Sequence, residues 1–292
     1  MNKIQRPVIA LSIVVSALVL GAWPMAALAA TQPRMGTAAN FAVLAGSTIT
    51  NTGPTVISGG LGLFPGTAVT GNPVASSKHV TDAVALSAKN ALVTAYNDLA
   101  SWGPTRSLTG QDLGGKTLTP GVYRFSSSAQ LTGTLTLSGN GIFIFQMGST
   151  LTTASNSKVL VRNGAQGCGV YWKVGSSATL GTGTQFQGTV IALTSITMVT
   201  GATILPGRAL ARNGAVTLDS NRISKPAAFC SATGTTSSTK TNTGTTSTLA
   251  QTGGGPLQGS FPWVLVLIAG VASSLGGLGF VMSNRSHRLS RR

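Results

Sequence analysis

Acid-base chemistry in this chain would have to come from Asp82, Asp98, Asp112 and Asp219, its only carboxylates, together with His79. Hydrolysis or elimination on a polysaccharide needs paired carboxylates at one bond, or a metal held by clustered His, Cys, Asp or Glu side chains. Asp82 and Asp98 fall on one helical segment and the other two stand apart, so no pair, ligand set or serine-histidine-acid constellation can be assembled. The sequence therefore predicts no enzyme, no cofactor and no metal. What it offers instead is hydroxyls. Between Thr132 and Asn221, threonine and serine alternate with aliphatic residues, with Asp219 as the single carboxylate. In an extended strand successive side chains point to opposite faces, so the run Leu131 to Leu137 would place Thr132, Thr134 and Thr136 on one face.

The elements that must position such a surface are short strands between glycine-marked turns. Strands are expected at 121–125, 131–137, 141–145, 158–161, 169–174, 186–193, 194–199 and 215–218. One segment breaks the pattern. From Thr81 to Ala100, apolar residues recur at spacings of three and four, with Thr81 as expected N-cap and Asp82 in the first turn, and Trp102-Gly103-Pro104 ends the helix. A sandwich rarely inserts such a helix after its first strands, whereas stacked β-coils with the helix along one side use every element.

The chain has 292 residues and a formal charge of +16. Six of its basic residues (Lys3, Arg6, Arg285, Arg288, Arg291 and Arg292) lie in terminal segments that read as removable, which leaves fourteen against four acidic residues. The fourteen form no run and lack interleaved aromatics, which argues against nucleic acid as a partner.

The termini predict export. Residues 1–29 pair a basic start with an apolar run and a small-residue end at Ala27-Leu28-Ala29, the pattern of a secretory signal peptide. Residues 30–35 form a short lead, and residues 231–248, almost wholly Thr, Ser and Gly, read as a stalk. Residues 261–281 are apolar enough to span a bilayer, and 282–292 supply a basic cytoplasmic tail. Just upstream, Leu249-Ala250-Gln251-Thr252-Gly253 resembles the sortase sorting signal of the Leu-Ala-x-Thr-Gly type. That resemblance implies cleavage after Thr252, its linkage to peptidoglycan, and membrane contact only through the C-terminal helix before sorting; the alternative is an exodomain that stays membrane-anchored. Export also permits a disulfide between Cys168 and Cys230, the only cysteines, or two buried thiols.

Longer blocks carry a second resemblance. Residues 36–47 (Gly-Thr-Ala-Ala-Asn-Phe-Ala-Val-Leu-Ala-Gly-Ser), 50–57, 118–123, 174–182 and 207–218 closely resemble, in order, those of the microbial ice-binding protein family across residues 36–230. Membership implies a mostly β fold, a right-handed discontinuous β-solenoid of triangular section with one long α-helix packed alongside. It also implies a monomer whose partner is the ice surface, without catalysis. Family members use one flat face, some with short Thr-Ala/Gly-x-Thr/Asn motifs. Among the matches, Thr37 to Asn40 leads into an apolar run and is set aside, which leaves Thr67 and Thr70, Thr153 and Asn156, and Thr200 and Thr203 as the expected ice-contacting residues. The same motif recurs at Thr233 and Thr243 in the stalk, a measure of how readily this composition produces it. The competing expectation is a surface adhesin, with Arg124, Lys158, Arg162, Lys173, Arg208 and Arg212 meeting anionic glycan.

Overall fold

The computed structural model describes residues 32–227. The expected signal peptide, stalk, sorting motif, membrane helix and basic tail lie outside the described residues, as does Cys230. No helix among the described residues is long and apolar enough to cross a membrane.

The chain begins with β1 (Phe41–Ala45), β2 (Thr48–Thr52), β3 (Val56–Leu63), β4 (Ala68–Thr70) and β5 (Val74–Val80), then α1 (Ala83–Ser101). There follow β6 (Arg106–Ser107), β7 (Thr117–Leu118), β8 (Gly121–Phe125), β9 (Ala129–Leu131), β10 (Thr134–Ser138), β11 (Phe143–Met147), β12 (Leu151–Thr153) and β13 (Lys158–Arg162). The last coils hold β14 (Val170–Val174), β15 (Ala178–Leu180), β16 (Gln185–Ala192), β17 (Ile196–Met198), β18 (Thr203–Ala211), β19 (Val216–Asp219) and β20 (Arg222–Ser224). All strand pairs are parallel, so each coil lays its strands on those of the next.

Three ladders result. One runs β5-β3-β1-β18-β16-β14-β11-β8-β6 through the later halves of the long strands. A second is the separate sheet β4-β2-β19-β17-β15-β12-β9. The third runs β5-β3-β20-β18-β16-β13-β10-β7 through the earlier halves. Strands β3, β16 and β18 each turn a corner between ladders, where the register slips by a residue. Gly188 shows why glycine stands at such a corner: its φ is +104°, and a Cβ there would lie 2.7 Å from the Val170 carbonyl oxygen.

The order of coils is not the order of sequence. After β5 the helix carries the chain to the far end of the stack, and the later coils climb back until β19 pairs with β2 and β20 with β3. A helix of 19 residues is about 28 Å long, close to the height of six strand spacings at about 4.8 Å each. Its length is thus fitted to the return journey. The helix starts one residue later than the sequence pattern places it. Asp82, not Thr81, is the N-cap, its carboxylate accepting from the Ala85 N–H at 2.7 Å, while Thr81 sits at φ +53° outside the helix.

The interior holds one large apolar cluster, with a column of rings, Tyr123, Phe145 and Trp172 stacked and Phe186 tilted against Trp172, at centroid separations of 5.3, 4.0 and 4.7 Å. A smaller cluster glues α1 to the first ladder through Leu44, Ile144, Tyr171, Ile191 and Leu210. The middle of the first ladder is thereby covered on its outer side, while Lys78 of β5 and Arg124 of β8 at its ends stay exposed.

A buried cation secures the same contact. Lys89 of α1 is 7% exposed and donates through Nζ to the carbonyls of Ala211 and Arg212, and burial, then the Arg212 charge, lowers its pKa to about 8. Between about 8 and the ordinary 10.5 the unfolded chain holds a proton that the folded one has shed, so stability rises with pH in that window and the gain is lost as pH falls through 8. We expect the unfolding free energy to increase by about 2 kcal/mol from pH 8 to 9.5, at 1.36 kcal/mol per unit. Denaturant titrations of wild type and Lys89→Met check this; an equal slope in both would remove Lys89 as its source.

Candidate functional site

Two ladders remain uncovered by the helix. On the second sheet each strand presents its outward side chain in register with the next. Thr70 pairs with Thr50, Thr50 with Thr217, Thr217 with Thr197, Thr197 with Thr179, and Thr179 with Thr152. Gln130 takes the following place and ends the row. Six threonines in consecutive coils thus stand in one line about 24 Å long, five strand spacings. Their neighbours along each strand are buried, Ile49, Val216, Leu218, Ile196, Met198, Ala178, Leu180 and Leu151, so the alternation of strand geometry holds the threonines outward.

Beside this line runs a second one of small residues at the preceding corner, where Thr150 and Ser128 share a hydrogen bond at 2.8 Å and Ser195 accepts from the Ala215 N–H at 3.1 Å. Those hydroxyls are engaged within the protein. The central six are not: among the described residues none of Thr50, Thr70, Thr152, Thr179, Thr197 and Thr217 has a side-chain hydrogen-bond partner in the protein. The face therefore offers one row of free hydroxyls and methyls at a repeat of about 4.8 Å set by the backbone, with the line of small residues about 6.7 Å to one side. Asp219 stands at its margin, tied to the Thr200 hydroxyl.

The six residues expected from the short motifs fall in different places. Thr70 is in the row. Thr67 is exposed in the turn before β4. Thr153 is 3% exposed and points inward, sharing a 2.8 Å hydrogen bond with the buried Thr184. Asn156 lies in a turn at φ +60°. Thr200 bonds Asp219, and Thr203 belongs to the third ladder, where its hydroxyl reaches the Thr184 carbonyl at 3.4 Å. The motif thus does not mark one face: Thr153 accepts from the Gly181 N–H and Thr203 donates to the Thr184 carbonyl, so these hydroxyls serve the backbone. The alternation at Thr132, Thr134 and Thr136 also divides: Gly133, at φ +84°, turns the chain between β9 and β10, so Thr132 sits at a corner and the other two on the third ladder.

That ladder has another character. Its aligned outward row reads Thr134, Lys158, Gln185, Thr203, Arg222, Val56, Val74. Mixed charge and shape leave no uniform lattice there. Of the other expected basic contacts, Arg208 is 8% exposed and donates to the Ala39 carbonyl and the Thr189 hydroxyl, while Lys173 and Arg212 lie over the Tyr96 ring at 4.8 and 5.3 Å. Cys168 is buried and is not a free thiol. Among the described residues no group of three His, Cys, Asp or Glu is placed to hold a metal.

Residues 43–224 match the sequence profile of a family described as ice-binding-like. The chain belongs to the ice-binding-like family. It is 54% identical over 231 residues to an ice-binding protein of Nostoc sp. (strain HG1), covering 77% of this chain and 84% of that protein. A similar protein from Flavobacterium frigoris (strain PS1), also named an ice-binding protein, is 32% identical over 211 residues, covering 66% of this chain and 76% of the other. Among solved structures, an ice-binding protein from an Antarctic biological consortium superposes with a TM-score of 0.65 at 46% identity, covering 69% of this chain and 95% of that one. One from the Antarctic ascomycete Antarctomyces psychrotrophicus gives 0.65 at 38%, covering 68% and 100%. The mostly β architecture with one long helix is therefore that of the ice-binding-like family, and the relatives' names are those of ice binders.

Proposed function

We propose that this protein adsorbs to ice through the threonine row of the second sheet and thereby restrains ice growth or recrystallisation. The observation that carries the reading is the line Thr70-Thr50-Thr217-Thr197-Thr179-Thr152, in register and with its hydroxyls unspent. Each threonine supplies a methyl that neighbouring water must order around and a hydroxyl that can bond to that water. A rigid parallel ladder presents many such sites without an ordering cost at the moment of contact, so contacts of about 1 kcal/mol or less add to a firm hold. This reading moves the contact residues from the motif threonines to the row, with Thr70 common to both.

The sequence supports the setting as well. Residues 1–29 direct secretion, 231–248 form a stalk, and Leu249 to Gly253 followed by the apolar 261–281 deliver the chain to sortase, which links Thr252 to peptidoglycan. A Cys168–Cys230 disulfide pins the end of the domain, and the solenoid winds right-handed, the hand that parallel crossovers favour. The protein acts as a monomer, since a single flat face suffices for ice.

Thermal hysteresis and recrystallisation inhibition of the segment Thr31 to Cys230 test the proposal. Both activities are expected from a folded sample; a folded sample with neither would leave the adhesin as the better reading.

A further inference from the structure

We infer that the third ladder is a docking surface for an extended acidic polysaccharide, separate from the threonine row and independent of whether that row binds ice. Lys158 and Arg222 stand in one aligned row of this face, three strands apart, about 14 Å. Arg162 extends the same side of β13 and is exposed. Among the described residues none of the three side chains has a hydrogen-bond or ion-pair partner. Nor can a carboxylate neutralise them from this face, because all four of the chain's carboxylates lie elsewhere. Asp82 and Asp98 serve the helix and its neighbours His79 and Arg34, Asp219 belongs to β19, and Asp112 bridges to Gln130.

The same face carries three of the described residues' five exposed large aliphatics, Val56 at 45%, Val74 at 65% and Leu205 at 40%. Val56 pairs directly with Arg222 on one side and Val74 on the other. Unpaired cations with small apolar residues beside them suit a chain of sugar rings, whose carboxylates meet the cations while their C–H faces lie on the valines. The partner is elongated because the face is a strip many strands long and only two or three side chains wide. Nucleic acid fits less well, since this face has no aromatic side chain on which a base could stack. A lipid surface fits less well too, since the exposed aliphatics of this face are two valines and a leucine, with no Trp or Phe to bury at an interface. Because the helix packs on one side and the threonines occupy another, polymer on the third leaves the row free. The protein could then hold such a polymer at an ice surface.

Co-sedimentation and calorimetry with polygalacturonate test this, using the full chain purified in non-ionic detergent, with neutral dextran, polyphosphate and phosphatidylglycerol vesicles as comparisons. Polygalacturonate should bind most tightly, weakening as salt rises. The triple variant Lys158→Gln/Arg162→Gln/Arg222→Gln should lose about tenfold in affinity, about 1.4 kcal/mol. Arg222→Glu alone should lower it measurably, and Thr179→Tyr should leave it unchanged. The inference is overturned if polygalacturonate does not bind, if the triple variant binds undiminished, or if dextran, polyphosphate or vesicles bind as well.

Discussion

Thr197→Tyr should reduce thermal hysteresis by about tenfold or more, while the midpoint of thermal unfolding stays within about 2 °C of wild type. Thr197 lies in the middle of the row, between Thr179 and Thr217, on a strand whose other two residues are buried. Its side chain is half-buried between its neighbours, so a phenol there has nowhere to fold away and must stand above the face. A flat lattice cannot approach past it. The loss is then not one contact but those of the neighbouring coils, and 1.4 kcal/mol of them already amounts to tenfold. The paired control is Thr203→Tyr on the third ladder, which should keep full activity. If Thr203→Tyr abolished activity and Thr197→Tyr did not, the ice face would belong to the other ladder.

The second large effect is on stability. Asn221→Ala should destabilise the fold by about 3 kcal/mol or more, because several buried backbone groups lose their partner at about 1 kcal/mol or more each. Asn221 is fully buried at the corner between β19 and β20. Its side-chain N–H groups donate to the Val199 and Ala202 carbonyls at 3.0 and 2.9 Å, and its Oδ1 accepts from the Asp219 N–H at 2.6 Å. One amide thus joins the last coil to the coil below. Its own backbone N–H donates to the Thr55 hydroxyl, which adds a tie to the first coils. Urea denaturation measures the effect; a change below about 1 kcal/mol would mean that water replaces the lost bonds.

Much of the architecture could be read from the chain. The 3.6-residue period of α1 was unmistakable because its neighbours have none, and its N-cap was misplaced by only one residue because Thr81 and Asp82 are both capping types. The four aspartates lie apart, and each has a structural partner: Asp82 with Ala85 and His79, Asp98 with Arg34, Asp112 with Gly114 and Thr132, Asp219 with Thr200. The threonine row was harder. Its members are supplied one per coil by strands as short as Ile196-Thr197-Met198, and coils of unequal length destroy any fixed period in sequence. Thr50 and Thr217 touch only because the helix resets the stacking order, so that the last coil closes on the first.

A usable signal does exist. Gly66-Thr67-Ala68-Val69-Thr70, Gly148-Ser149-Thr150-Leu151-Thr152, Gly175-Ser176-Ser177-Ala178-Thr179 and Gly214-Ala215-Val216-Thr217 each run from a glycine through small residues to one inward apolar residue, half-buried at Val69 and buried in the others, and a threonine. The short Thr-Ala/Gly-x-Thr/Asn motif starts three residues earlier at Thr67 and one residue later at Thr153. That difference of an odd number of positions is enough to turn a side chain from the outer face to the interior or the edge. The run at Thr132, read as one strand face but not as the ice contact, divides for a related reason. Its alternation is genuine, but a glycine at positive φ in its middle sends the two halves to different faces.

The most direct measurement is capture of the protein into a slowly grown ice hemisphere, comparing wild type with Thr50→Tyr/Thr179→Tyr, which blocks the row at two places. The wild-type protein should be enriched in the ice and the double variant left in the liquid, with both folded by circular dichroism. Exclusion of the wild-type protein, or capture of the double variant to the same extent, would contradict the assignment of ice binding to this threonine row.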